Sequence, residues 1–252
     1  MNLHTKTIYD DVLVYELAHQ RVLADIDFYK KLAKRYPGPV LELGCGAGRV
    51  TVPLAEEVDD ITGIDILEPM LNRAKENADA KGLRINWVRG DIRDFDLGRQ
   101  FSLIIYPMNS ICHMHDLRSL EACFTQARKH LAPEGRFVLH MYNPGLQILV
   151  RDPSQRYPVA EYEDPHGRGH VVVTENNIYD RASQVNQIKW YYKYQETGEE
   201  SVIDLPMRVF YPQELDALLH YNAFEIEHKY GGYDMSEFTS DSACQIPVCR
   251  RR

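Results

Sequence analysis

The sequence predicts an α/β fold, a doubly wound and mostly parallel sheet of seven strands with an inserted antiparallel β lid. Three observations predict it. Between Val40 and His140, short apolar runs alternate five times with stretches of helical period, which implies parallel pairing through right-handed crossovers. The turn "GCGAG" (Gly44–Gly48) joins the first run to a helix, at the carboxyl end of a strand, where such sheets bind ligands. After Tyr142 the period changes from helical to two, the mark of antiparallel strands.

Taken in order, residues 1–38 read as an N-terminal helical cap, with Ile26, Tyr29, Leu32 and Ala33 at helical spacing and Pro37-Gly38-Pro39 ending the run. Residues 39–145 form the core. Its strands are expected at Val40–Leu43, Ile61–Ile64, Arg84–Val88, Phe101–Tyr106 and Arg136–His140. Helices are expected at Arg49–Glu57, Pro69–Ala80 and Leu117–His130. Residues 146–211 are an insertion of three antiparallel strands, "HVVVTENNIYD", "QVNQIKWYYKYQ" and "SVIDLPMRVFYP", with turns at Asp180–Ser183 and Thr197-Gly198. In the middle strand Ile188, Trp190, Tyr192 and Tyr194 share one face, and Lys189, Lys193 and Gln195 the other. Residues 212–252 return to the core sheet through a helix (Pro212–Tyr221) and two strands (Phe224–Lys229, Gln245–Cys249).

The 252 residues carry a formal net charge of −8, which disfavours nucleic acid as a partner. No apolar run reaches the roughly 18 residues that span a bilayer, and nothing at the N-terminus reads as a signal peptide. Five cysteines without zinc-type spacing point to reduced thiols and a cytoplasmic setting. Arg250-Arg251-Arg252 suits either a solvated tail or an anion site.

A dinucleotide fingerprint, G-x-G-x-x-G, would need its third glycine where Arg49 stands. The observed E-x-G-x-G-x-G, Glu42 to Gly48, instead resembles the first motif of the class I S-adenosylmethionine-dependent methyltransferases, whose core is Rossmann-like. Asp65 ends "ITGIDIL", "EPMLNRAKENA" follows as that family's next helix, "RGDIRDF" supplies Asp91, and "LAPEGRFVLH" matches its fifth strand. The resemblance implies S-adenosylmethionine as cofactor, S-adenosylhomocysteine as product, and methyl transfer to a small-molecule acceptor at nitrogen or oxygen. It places Gly44, Cys45, Gly46 and Gly48 against the methionine end, below Glu42. Asp65, with Ile66, takes the ribose hydroxyls. Asp91 and the Ile92 N–H take the adenine, and Met70 and Tyr106 complete the donor side.

The acceptor side follows the fourth strand in "YPMNSICHMHD". It lacks the D/N/S-P-P-aromatic motif of nucleic-acid amino-methyltransferases and looks like the matching segment of sugar-amine and glycine-type N-methyltransferases. There Asn109 faces the acceptor, and His113 either orients it and takes its proton or simply meets solvent. Two histidines, His113 and His115, without supporting carboxylates or thiols do not make a metal site. "IYDDVLVYELAH" resembles the tyrosine-bearing segment that closes over the cofactor in related enzymes, so Tyr15 is a catalytic candidate and Tyr9 a substrate candidate. Trp190 and Arg208 are acceptor candidates in the insertion, the first also explained by ordinary packing. The insertion can equally serve as the face of a homodimer. Methylation of a protein or RNA, and a non-catalytic S-adenosylmethionine-binding module, are the alternative functions.

Overall fold

In the computed structural model the described residues are 7–19 and 23–252; residues 1–6 and 20–22 of the expected cap lie outside them. The elements, in chain order, begin with α1 (Val12–His19), α2 (Ala24–Arg35), β1 (Val40–Leu43), α3 (Thr51–Leu54), β2 (Ile61–Asp65), α4 (Glu68–Asp79) and β3 (Asn86–Arg89). They continue with β4 (Phe101–Tyr106), a 3₁₀ turn (Ser110–His113), α5 (Leu117–His130), β5 (Leu131–Leu139), β6 (Met141–Tyr142) and α6 (Leu146–Leu149). The rest are β7 (Tyr157–Glu163), β8 (His170–Asp180), β9 (Val185–Tyr194), β10 (Glu200–Arg208), α7 (Pro212–Tyr221), β11 (Phe224–Tyr230) and β12 (Cys244–Arg251).

The described residues form two compact units, 23–143 with Phe210–Arg252, and 7–19 with Pro144–Val209. In the larger unit the sheet runs β11-β12-β5-β4-β1-β2-β3, with short β6 beside β12. β12 alone in that path runs antiparallel to its neighbours, and the order reverses between β1 and β4. This is the doubly wound, seven-stranded sheet expected from the alternation, and its switch point lies directly beyond β1. Apolar side chains of α2, of α3 and of its cap residue (Phe28, Leu32, Leu54, Val50) pack with Val40, Leu103, Ile105 and Val138 from one face of the sheet. On the other face Phe124 of α5 meets Phe137 and Phe224 edge-on, at ring separations of 6.2 and 6.1 Å.

The buried stripe of α2 is Asp25, Phe28, Tyr29, Leu32 and Ala33, so Asp25 and Phe28 replace Ile26 in the expected pattern. The helix expected over Arg49–Glu57 is regular only over Thr51–Leu54. Pro53 offers no N–H, Val50 supplies no side-chain cap, and three of the first residues are β-branched or proline, which leaves turns on either side.

The smaller unit is a four-stranded antiparallel sheet, β10-β9-β8-β7. Three strands were expected; β7 is the addition. It lies at an edge, where Pro158 breaks no ladder and Glu161 and Glu163 alternate outward. One face carries Val171, Val173, Trp190, Tyr192 and Tyr194, as the period-two reading requires, and Val14 of α1 packs on it. Asp11 caps α1 by accepting from the Val14 N–H at 3.2 Å and meets His166 Nε2 at 2.8 Å. Among the described residues no helix is long and apolar enough to cross a membrane.

Candidate active site

The glycine turn has a backbone reason for its composition. Gly44, Gly46 and Gly48 have φ of +66, +53 and +80°, a region that side chains disfavour. At Gly48 packing adds to this, because a Cβ would lie 2.9 Å from Val52 and 3.0 Å from Trp87. The Gly46 N–H donates to Asp65 Oδ2 at 2.8 Å, and the Leu67 N–H donates to Asp65 Oδ1 at 2.9 Å. Asp65 therefore ties the end of β2 to the turn after β1. A carboxylate has about four acceptor positions, so Asp65 keeps acceptor capacity for a ligand hydroxyl. Burial pushes the Asp65 carboxyl up, and the N–H groups of Leu67, Gly46 and Ile66 pull it back towards the charged form.

Around this carboxylate the other expected donor residues fall into distinct surroundings. Met70 and Tyr106 are fully buried, whereas Ile66 is 54% exposed beside Asp65. Asp91 is held by Arg93, through Nε at 2.9 Å and Nη2 at 2.6 Å, which keeps its carboxyl below the usual range. An adenine amino group would have to share that carboxylate with Arg93. Glu42 faces inwards: Thr51 Oγ1 donates to it, and burial pushes its carboxyl up to about 8. Cys45, beside it, is buried too, and its thiol is pushed up by the same desolvation.

Beyond β4 the chain takes two successive left-handed residues without glycine, Met108 (φ +56°) and Asn109 (φ +60°). Such strain persists only where surrounding bonds hold it. Here the Asn109 N–H donates to the His140 carbonyl at 3.1 Å, and Asn109 Oδ1 accepts from the Tyr142 N–H at 2.7 Å. The Asn109 side-chain oxygen thus braces the segment. His113 ends the 3₁₀ turn that follows and keeps part of its ring at the surface. Crowding by protein, then the neighbouring charge of His115, draws its pKa below the ordinary imidazole value.

A buried polar cluster beneath the turn was missed from sequence. Asp25, fully buried on α2, forms a two-pronged ion pair with Arg49. Arg49 is therefore neither solvent-facing nor open for a ligand carboxylate in the way its place after the glycines suggests. Among the described residues, Tyr29 Oη and His140 Nδ1 lie buried without a hydrogen-bond partner, and the His140 ring stacks on Tyr233 at 5.0 Å. Burial holds His140 neutral, with its pKa drawn down to about 4. The available signal was Asp25 itself, an acid standing in the apolar stripe of a helix.

Of the remaining candidates, Tyr9, Tyr15, Trp190 and Arg208 belong to the smaller unit. The Tyr9 and Tyr15 rings lie 5.3 Å apart, and Tyr15 lies 4.2 Å from the His19 ring. Trp190 Nε1 donates to Glu175 at 3.0 Å, and Arg208 ends β10 opposite Val185.

Residues 40–135 match the family described as "Methyltransferase domain". A dTDP-3-amino-3,4,6-trideoxy-alpha-D-glucopyranose N,N-dimethyltransferase of Streptomyces venezuelae is 30% identical over 100 residues, 40% of either chain. The chain thus spans well under two thirds of that relative's length. The CcbJ methyltransferase of Streptomyces caelestis superposes with a TM-score of 0.80 at 27% identity, over 91% of this chain and 89% of its own. The S-adenosylmethionine-bound CalS10 of Micromonospora echinaspora, an amino pentose methyltransferase, shares the fold with a TM-score of 0.70 at 21% identity, over 99% of this chain and 100% of its own. Residues 40–135 thus match a methyltransferase domain, and the turn of alternate glycines, the acid after β2 and the strand order described above belong to a fold that this chain shares with the CcbJ and CalS10 methyltransferases.

Proposed function

We propose that this chain methylates an amine nitrogen of a small-molecule acceptor of the amino-sugar class. The observation that carries the reading is the Gly44–Gly48 turn locked to Asp65, a carboxylate with acceptor positions to spare. The acceptor class rests on the activities of the relatives. When bound, S-adenosylmethionine supplies a methyl group on a positively charged sulfur.

The chain's own residues then have these roles. Asp65 accepts from two ribose hydroxyls, Ile66 and Met70 flank them, and Asp91 with the Ile92 N–H holds the adenine. Gly44–Gly48 let the backbone meet the methionine end, with Glu42 and Cys45 supporting the turn from inside. Tyr106 walls the donor side. His113, neutral at physiological pH, orients the acceptor amine and removes its proton. Asn109 fixes the strained segment that presents His113. Within the smaller unit, Tyr15 stays a catalytic candidate and Tyr9, Trp190 and Arg208 stay acceptor candidates. Positioning of this kind is worth up to about 7–11 kcal/mol of a transfer barrier.

Calorimetric titration with S-adenosylmethionine, S-adenosylhomocysteine and NAD tests the donor half, and mass spectrometry of amino-sugar incubations tests the acceptor half. Binding of both adenosyl compounds and not NAD is expected; binding of NAD alone would sink the proposal. His113→Ala should leave donor affinity unchanged and lower kcat at least about tenfold. A parallel loss of donor affinity would move His113 to the other half-site. Because its pKa is depressed, the acid limb of the wild-type pH–rate profile should lie below the ordinary imidazole range.

We read the protein as cytoplasmic, on its five cysteines, none of which forms a disulfide. A homodimer through the four-stranded sheet is in keeping with Ile178 and Val202, 62 and 46% exposed on its outer face. Sedimentation velocity, with Val202→Lys as the control, decides it.

A further inference from the structure

We propose that a cleft between the carboxyl half of α5 and the end of β12 binds a small phosphorylated ligand. The cleft has a volume of about 580 Å³ and is lined by Thr125, Arg128, Lys129, Arg251 and Arg252. In a chain with a net charge of −8, four cations around one concavity run against the average surface.

The fold brings them together from two elements. Thr125, Arg128 and Lys129 stand at helical spacing on one face of α5. Arg251 pairs with Phe224, whose ring meets Phe124 of α5, so Arg251 projects from the same side of the sheet as that helix. Arg250 projects from the other side and is neutralised by Glu225 at 3.0 Å. The last-turn cations of α5 complement its helix dipole, but that does not account for an arginine supplied by a strand.

Their charge is also largely unspent. Lys129 pairs with Asp96 at 2.8 Å, and the Arg252 guanidinium meets the His220 ring at 2.8 Å. Among the described residues, no carboxylate lies within ion-pair distance of Arg128, Arg251 or Arg252. Three guanidinium groups offer planar pairs of N–H donors, the geometry that matches phosphate oxygens, and the Thr125 hydroxyl adds a neutral donor. Two or more facing forks suit a diphosphate better than a single carboxylate. β12 runs antiparallel to β5, so Arg251 lies at the amino ends of the parallel strands, at the opposite end of the sheet from the glycine turn. The site is therefore separate from the donor site, and the inference does not depend on the methyl-transfer reading.

The test is calorimetry of the intact protein at low ionic strength with inorganic pyrophosphate, ADP and adenosine. The variants are Arg128→Gln/Arg251→Gln, the charge-keeping Arg128→Lys/Arg251→Lys, and Arg250→Gln as a surface control. The expected result is pyrophosphate binding that weakens at least about tenfold in the glutamine pair, less in the lysine pair, and not in the control. ADP binding more tightly than pyrophosphate, by an increment the glutamine pair also loses, assigns the ligand to nucleotides; equal affinity assigns it to free phosphate groups. Absence of pyrophosphate binding in the wild type, or equal binding in the glutamine pair, overturns the proposal.

Discussion

Asp65 does two jobs with one carboxylate, and its replacement separates them. Removing it frees the Gly46 and Leu67 N–H groups and takes away the acceptor capacity left for the ribose. Hydrogen bonds to a charged group are worth about 1.5–3 kcal/mol each, so Asp65→Ala should weaken S-adenosylhomocysteine binding by about thirtyfold or more in calorimetry. Near-normal affinity would mean that the ribose is held elsewhere. Glu42 makes a different prediction, about pH. Its folded carboxyl titrates at about 8, whereas unfolded it returns to the ordinary carboxylate range near 4.3. Between those values the folded chain holds a proton that the unfolded chain lacks. Glu42 therefore contributes stability that is complete at low pH and is lost as pH rises towards and through 8. Glu42→Gln keeps an acceptor for Thr51 and cannot ionise, so its melting temperature should gain on the wild type between pH 5 and pH 8.5. A constant gap would show Glu42 to be ionised in the fold. Of these two acids the sequence revealed Asp65's setting through its place at a strand end, but not that Glu42 is buried and protonated, because nothing local announces which face of β1 is covered by α2.

Helix α2 gains its position from a pair that spans 24 residues of sequence. Arg49 leaves the glycine turn and meets Asp25 inside the first turn of α2, so the helix and the turn are fixed to each other. Arg49→Ala would leave a fully buried carboxylate unpaired, which costs about 3–5 kcal/mol in urea unfolding. Replacing both partners, as Asp25→Leu/Arg49→Met, should recover most of that loss; a double variant as unstable as the sum of the singles would mean that the pair is not coupled. Elements such as β4, α5, β8 and α7 were legible with their observed ends, each being a strong periodic run closed by a turn residue. β7 was not, since an edge strand with Pro158 and two outward glutamates carries little apolar signal. The Asp25–Arg49 pair was illegible for a different reason: Asp25 stands out in the stripe of α2, but its partner lies 24 residues away and only tertiary packing makes them neighbours.

The molecule as a whole distributes its probes unevenly, and that allows its two units to be followed apart. All five cysteines, Cys45, Cys112, Cys123, Cys244 and Cys249, are buried in the larger unit, and none is in a disulfide. Burial pushes the Cys123 and Cys244 thiols up to about 12 and 11, so the native protein should show under one equivalent of fast reaction with a thiol reagent and five in denaturant. Trp87 reports the larger unit and Trp190 the smaller, so comparison of wild type with Trp190→Phe isolates the second signal. The smaller unit is held by a cluster around Val171, Val173, Tyr192 and Tyr194, and α1 contributes no fully buried residue to it. The larger unit has a far more extensive apolar core on the α2 face of its sheet alone. Less buried apolar surface means a lower opening free energy. The Trp190 signal should therefore change at lower urea than thiol exposure. Coincident transitions would show that the chain unfolds as one cooperative body, a property that periodicity along a sequence does not encode because it depends on which distant segments share a core.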